Sequence, residues 1–156
     1  MAIVHSAKSG VTNLLEKFTL SQDLILINEI SDSILQLSND LDVSVNNDRY
    51  INDLISYSEK KTLNNYDIAN ILSFGELMTH AIGLAFLSKH IDVVSQDPKE
   101  LFISRNDDNR AQATKILSAK CSIKPTTIKN NCIIMPGFIA ANDKGDTVVL
   151  GRGGSD

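Results

Sequence analysis

The chain has 156 residues, which is enough for one domain with a sizeable buried core. Apolar residues make up 42% and charged residues 22% of it, as in ordinary soluble globular proteins. A net charge of −4 argues against a surface for nucleic acid or for an anionic membrane. We expect no membrane span, because the continuous apolar stretches are short, and the N-terminus shows no secretory signal. The composition therefore predicts a cytoplasmic protein without nucleic-acid or membrane partners.

The first half of the chain is predicted to open with a strand, a tight loop and a helix. The short apolar run from Ala2 to His5 indicates a buried strand, and Val11 to Phe18 has helical spacing. Apolar residues at every third or fourth position then predict a long helix over 24–41, with Ser21 as its cap. A shorter helix is expected around Ile51 to Ile55.

The second half combines a long apolar helix with several short strands. Asn64 precedes the helix, which is apolar nearly all round from Leu77 to Leu87 and is expected to run through the interior. Another helix is predicted from Ala111 to Ala119. Strands are predicted over 91–94, 132–135, 138–141 and 147–150, with a turn at 142–145. The alternation of strands and helices predicts an α/β fold, in which helices sandwich a sheet.

The loop from Ser6 to Asn13 is the first of three segments with candidate chemistry. Small residues between a strand and a helix place backbone N–H groups and hydroxyls at the positive end of the helix, which favours an anion. The loop lacks the spacing of a Walker A motif. An ordinary tight turn is the alternative interpretation.

The second segment runs from Ser73 to Met78 and places the carboxylate of Glu76 inside an apolar helix, next to Gly75. A buried carboxylate needs a partner, and a substrate ammonium group would serve as one. The alternative is that Glu76 faces solvent or caps a neighbouring element.

The third segment is the terminal loop, where an apolar run up to Leu150 stops at three glycines. Arg152 offers a planar fork of donors for a carboxylate or phosphate, while Ser155 and Asp156 would occupy the first turn of a following helix. A flexible glycine-rich tail is the alternative.

The cysteines and histidines predict no metal site. Cys121 and Cys132 lack the spacing and the histidine partners of a zinc site, so we expect free thiols. His80 lies in the apolar helix and is expected to be a hydrogen-bonded interior residue, whereas His5 and His90 lie near the ends of predicted elements.

These segments, in this order, resemble the aspartokinases of the amino-acid kinase superfamily over nearly the whole chain. The loop after the first strand resembles the family's Ser-Ala-x-x-x-Val-Thr-Asn, and residues 73–78 resemble its Ser-x-Gly-Glu-x-Met helix. Residues 136–139 and 150–156 resemble its Gly-Phe and Leu-Gly-Arg-Gly-Gly-Ser-Asp signatures. The implied fold is the three-layer α-β-α amino-acid kinase fold, in its N-terminal substrate-binding part only.

The resemblance implies transfer of a phosphoryl group from ATP to the side-chain carboxylate of L-aspartate, giving 4-phospho-L-aspartate. Arg152 would clamp a substrate carboxylate and Glu76 would pair with the α-ammonium group. Further residues are implied in substrate binding (Ser6, Thr12 and Ser155 as donors, and the backbone at Phe138), in nucleotide binding (Gly153 and Gly154, with ATP and Mg²⁺), and in catalysis (Asp156).

Parts of the family pattern lie outside residues 1–156. They are the first glycine-rich strand and loop, the nucleotide-binding half, the regulatory ACT domains and, in bifunctional members, homoserine dehydrogenase. We therefore expect this chain to be a partial kinase domain that is inactive alone, and the full-length form to be a homo-oligomer. The alternatives are a kinase for another substrate, such as glutamate or acetylglutamate, and a non-catalytic remnant that binds aspartate or another chain.

Overall fold

A computed structural model describes residues 1–105, 115–116 and 132–150 of the chain. The helices are α1 (Val11–Ser21), α2 (Leu24–Asp40), α3 (Asp48–Ser58), α4 (Asn65–Ser88) and α5 (Pro98–Leu101). The strands are β1 (Ala2–His5), β2 (Val93–Ser95), β3 (Ser104–Arg105), β4 (Lys115–Ile116), β5 (Cys132–Pro136), β6 (Ile139–Ala141) and β7 (Thr147–Val149).

A parallel sheet in the order β1-β5-β2 forms the centre of the described structure. Ile3 pairs with Ile134 and Val94 pairs with Ile133, so the carboxyl ends of all three strands reach the same edge. Every residue of β5 is buried, as expected for the central strand of a parallel sheet covered on both faces.

Helices lie on both faces of this sheet at β5, whereas β1 has two exposed and two half-buried residues, so the expectation of a buried strand from Ala2 to His5 is wrong. Ile134 points towards α4, because its Cδ1 lies 3.4 Å from the position that a Cβ on Gly83 would take. Its neighbours Ile133 and Met135 point to the opposite face, since side chains alternate along a strand, and there they pack against Leu101 of α5. The sheet with helices on each side confirms the predicted α/β architecture.

The helical layer contains the main apolar core, and the predicted periodicities are confirmed. Buried side chains recur along α1, α2 and α4 at helical spacing (Val11, Leu15, Phe18, Ile27, Ile30, Ile34, Ile71, Met78 and Ile82). Asn64 caps α4 in a reciprocal arrangement with Asp67. Ser21 as the cap of α2 is wrong: Ser21 ends α1, and Asp23 accepts from the amide of Ile25 at 2.9 Å.

Strands β6 and β7 form an antiparallel hairpin whose turn was predicted correctly. Asn142 Oδ1 accepts from the amides of Lys144 and Asp146, both at 2.9 Å, and Gly145 supplies the positive φ of 85° that the turn requires. The helix predicted from Ala111 to Ala119 is wrong at residues 115–116, which pair with β3 instead. The rest of that prediction lies outside the described residues.

Helix α4 is long and apolar enough, by length and composition alone, to cross a membrane, and is the one such helix among the described residues. The continuous apolar stretches of α4 are short, as expected, but its mean hydropathy over 18 residues is high. Polar residues such as Glu76 and His80 interrupt its apolar runs without lowering its average much. The central helix of an α/β domain meets the same criteria, and α4 packs against α1, β5 and β7.

Two glycines of α4 should respond differently to alanine. A Cβ at Gly83 would meet ordinary van der Waals contact, so Gly83→Ala should raise the free energy of unfolding by up to about 1 kcal/mol through helix propensity. A Cβ at Gly75 would lie 3.1 Å from Ala7 Cβ and 3.2 Å from Leu15 Cδ1, so Gly75→Ala should be neutral or destabilising. Urea denaturation of both variants measures the difference, and an equal gain at Gly75 would contradict the close contact.

Candidate functional site

The candidate site lies at the carboxyl edge of the parallel sheet, where ligands bind in open α/β folds. The loop after β1 and the turn after β5 meet there, because the amide of Gly137 donates to the carbonyl of His5 at 2.8 Å. Ser6 begins the first of these segments and Phe138 belongs to the second. The topology therefore brings together two residues that are 132 positions apart in the chain.

The loop after β1 is fixed against α2 and α4 by Lys8. Its amide donates to Thr79 Oγ1 at 3.0 Å, and its ammonium group donates to both the carbonyl and the hydroxyl of Ser33 at 2.9 Å. Gly10 follows with a φ of 89° and precedes the first turn of α1, which carries the half-buried Thr12. The segment is thus a rigid tight turn that leaves Ser6 exposed.

Glu76 is buried, with only 4% of its surface exposed, so the alternative in which it faces solvent is wrong. Its carboxyl group accepts a hydrogen bond from the amide of Ala7, while Oε2 has no partner among the described residues. Burial raises the pKa of Glu76 to about 7, opposed by hydrogen bonds from its own amide and from that of Ala7. A buried carboxyl group with an open oxygen is suited to receive a cation.

Gly75 is the reason that this carboxyl group meets the loop. The absence of a side chain at Gly75 lets Ala7, Val11 and Leu15 approach α4 closely. The next residue of the helix then presents its carboxyl group to the amide of Ala7. The Gly-Glu pair is visible in the sequence, but the close approach that Gly75 permits follows only from the fold.

Phe138 has a φ of 64°, an unfavourable conformation for a residue with a side chain. Its carbonyl accepts from the amide of Leu150 at 2.8 Å, and its ring packs beside Ala69 and Val149. The hairpin and α4 together hold this strained residue at the edge of the sheet, and such strain is common at ligand sites.

A hydrogen-bonded histidine pair extends the site. His5 Nε2 lies 3.0 Å from His80 Nδ1, and His80 Nε2 lies 2.7 Å from Ser95 Oγ. His5 Nδ1 lies 3.2 Å from the carbonyl of Ser6. The prediction of His80 as a hydrogen-bonded interior residue is confirmed. The involvement of His5 and Ser95 was missed, and the only signal was their position at strand ends.

A polar cavity of about 420 Å³ lies beyond the histidine pair. Its wall includes His80, Ser95, Ser73 and the two cationic side chains Arg49 and Lys99. The predicted substrate residues Ser6, Thr12, Glu76 and Phe138 are not among its lining residues, so the cavity is separate from the predicted substrate position.

The remaining predicted site residues (Arg152, Gly153, Gly154, Ser155 and Asp156) lie outside the described residues. Within the described ranges, no group of three or more His, Cys, Asp and Glu side chains is arranged to hold a metal ion. Cys132 is a buried free thiol, as predicted, and Cys121 is outside the described ranges.

The chain is similar in sequence to known aspartokinases. It is 27% identical to the aspartokinase of Chlamydia muridarum, in an alignment covering 99% of this chain and 36% of that protein. It is 36% identical over 90 residues to the bifunctional aspartokinase/homoserine dehydrogenase of Buchnera aphidicola, covering 56% of this chain. The chain thus spans about a third of the aspartokinase from C. muridarum. No family model matches it.

Solved structures show the same fold. E. coli aspartokinase III in complex with aspartate and ADP superposes with a TM-score of 0.83 at 21% identity, covering 99% of this chain and 37% of that one. Aspartate kinase from Clostridium acetobutylicum gives 0.70 at 18% identity, with 99% and 35% coverage. The described residues therefore have the amino-acid kinase fold, in the part that these structures share with the chain.

The burial of Glu76 predicts a pH-dependent stability. Its pKa is about 7 in the folded chain against 4.5 ordinarily. The charge of the buried Glu76 therefore does not destabilise the fold below pH 4.5, and its full destabilising effect is present above pH 7. The free energy of unfolding of Glu76→Gln, relative to that of the wild type, should therefore be roughly 3 kcal/mol higher at pH 8 than at pH 4.5. Denaturation at both pH values measures this. Glu29→Gln, at an exposed position of α2, is the control. A constant difference between Glu76→Gln and wild type would contradict the prediction.

Proposed function

We propose that this chain, a homologue of the aspartokinases, forms the L-aspartate site of a kinase that phosphorylates the side-chain carboxylate of aspartate. The observation that best supports this proposal is the buried carboxyl group of Glu76 with its open Oε2. An α-ammonium group placed there would ionise Glu76 and complete the hydrogen bonding of a buried polar atom.

The reaction is the attack of a side-chain carboxylate oxygen of aspartate on the γ-phosphorus of ATP. A new P–O bond forms, the bond to the β,γ-bridging oxygen breaks, and ADP leaves with the electron pair of that bond. Both reactants are anionic, so the protein acts mainly by positioning them and neutralising charge. In this proposal Glu76 holds the ammonium group, while the hydroxyls of Ser6 and Thr12 and the backbone at Phe138 orient the rest of the substrate.

We assign the remaining roles in substrate and nucleotide binding to the terminal loop. Arg152 clamps a substrate carboxylate, Ser155 donates to it, and Gly153 and Gly154 approach the nucleotide with Asp156 at the reacting end. Mg²⁺ would arrive with ATP and offset phosphate charge, since the described residues contain no acidic cluster of their own for it.

The whole protein is proposed to be a cytoplasmic homo-oligomer that makes 4-phospho-L-aspartate, at the start of lysine, threonine and methionine biosynthesis. The chain spans only about a third of the aspartokinase from C. muridarum. An aspartate-binding remnant without activity therefore remains the second candidate. Acetylglutamate fits less well, because its acylated nitrogen carries no positive charge to pair with Glu76.

Calorimetric titration of the chain with L-aspartate tests the proposal. Succinate, which has both carboxylates but no ammonium group, is the matched control ligand. We expect saturable binding of L-aspartate near pH 6.5 with proton release, because the ammonium group lowers the pKa of Glu76. The observed enthalpy should then vary with the ionisation enthalpy of the buffer. Glu76→Gln should remove this dependence and weaken binding about tenfold or more. Equal binding of succinate, or no binding of L-aspartate, would contradict the proposal.

A further inference from the structure

The hydrogen bonds around the histidine pair fix the positions of the protons. A carbonyl oxygen only accepts, so His5 Nδ1 must carry the proton that it donates to Ser6. Neutral His5 then accepts at Nε2, which requires His80 to donate from Nδ1. His80 consequently accepts at Nε2 from the hydroxyl of Ser95.

The chain of donors continues through one peptide group to Glu76. The peptide between Ser6 and Ala7 accepts from His5 at its carbonyl oxygen and donates from its N–H to the carboxyl group of Glu76. Every donor in the series therefore points the same way, from Ser95 towards Glu76. Hydrogen bonds aligned in this manner polarise and strengthen one another, and the two bonds at His80 are partly buried.

We propose that His5 and His80 are positioning residues for Glu76, acting through the Ser6–Ala7 peptide, an inference that rests on the proposed substrate role of Glu76. Neither histidine needs to touch the substrate. Together they hold the peptide whose N–H meets the carboxyl group of Glu76, where Oε2 is open for the ammonium group.

The surroundings keep the pair neutral at physiological pH. Burial and the adjacent His5 lower the pKa of His80 to about 4, against the opposing effect of Asp97, and burial also lowers the pKa of His5. Arg49 and Lys99 line the cavity that His80 and Ser95 border, and the carboxyl group of Glu76 lies at the other end of the series.

Two amide substitutions at His5 separate its two hydrogen bonds. An asparagine amide nitrogen occupies about the position of Nδ1, so His5→Asn retains a donor for Ser6. A glutamine amide reaches about the position of Nε2, where its carbonyl oxygen can accept from His80 Nδ1, so His5→Gln loses the donor to Ser6 while retaining an acceptor for His80. Ser95→Ala removes the first donor at an exposed position and tests the series if His5→Gln does not fold. His90→Gln, at an exposed histidine outside the series, is the control.

The decisive readouts do not depend on substrate. Histidine ¹⁵N spectra at pH 7 should show both His5 and His80 protonated at Nδ1 and bare at Nε2. The pKa of Glu76, followed by side-chain ¹³C shifts, should rise by roughly half a unit in His5→Gln, and by less in Ser95→Ala, because donation from Ala7 to the ionised carboxylate weakens. It should rise by less in His5→Asn than in His5→Gln, because the donor to Ser6 is kept, and it should stay at the wild-type value in His90→Gln.

Substrate binding supplies a separate readout. L-Aspartate should bind about five- to tenfold more weakly to His5→Gln than to His5→Asn, consistent with the loss of one aligned hydrogen bond. Nε2–H tautomers in the wild type, or one Glu76 pKa in all folded variants, would overturn the inference. If the tautomers and pKa values are as expected but the wild type binds no L-aspartate, the positioning of Glu76 stands and the proposed function fails.

Discussion

The contact between Gly75–Glu76 of α4 and the loop after β1 is the constraint on which the site depends. The absence of a side chain at position 75 lets Ala7 lie close to the helix, and this approach brings the amide of Ala7 to the carboxyl group of Glu76. Burial of this carboxyl group raises its pKa to about 7, against the opposing effect of the Ala7 amide. The close approach of the loop to α4 therefore sets both the position of the site and its affinity for a cation.

The rest of the described structure holds this contact in place. The parallel order β1-β5-β2 brings the ends of β1 and β5 together, so that the strained Phe138 lies beside the loop that carries Ser6. The apolar cluster of α1, α2 and α4 holds α4 against that loop, and Lys8 ties the loop to Ser33 and Thr79. Packing thus sets the geometry, and the polar groups of the site depend on it.

Local patterns predicted most of the elements but few of the contacts between them. Apolar spacing located α1 to α4, and the Asn142 turn located the last hairpin, because these signals lie within a few residues of each other. The hydrogen bond between His5 and His80 joins residues 75 positions apart, and nothing in either neighbourhood encodes it. Burial of Glu76 and the positive φ of Phe138 likewise follow from tertiary packing. The cap of α2 was misplaced by two residues because Ser21 and Asp23 are both good caps.

The central claim is that the open oxygen of Glu76 receives the α-ammonium group of aspartate. A crystal structure of the chain with L-aspartate at saturating concentration tests it most directly, through the distance from the α-nitrogen to Glu76 Oε2. We expect a charge-assisted hydrogen bond of about 2.7–2.9 Å. An aspartate whose nitrogen lies away from Glu76, for example in the cavity bordered by His80 and Ser95, would contradict the claim.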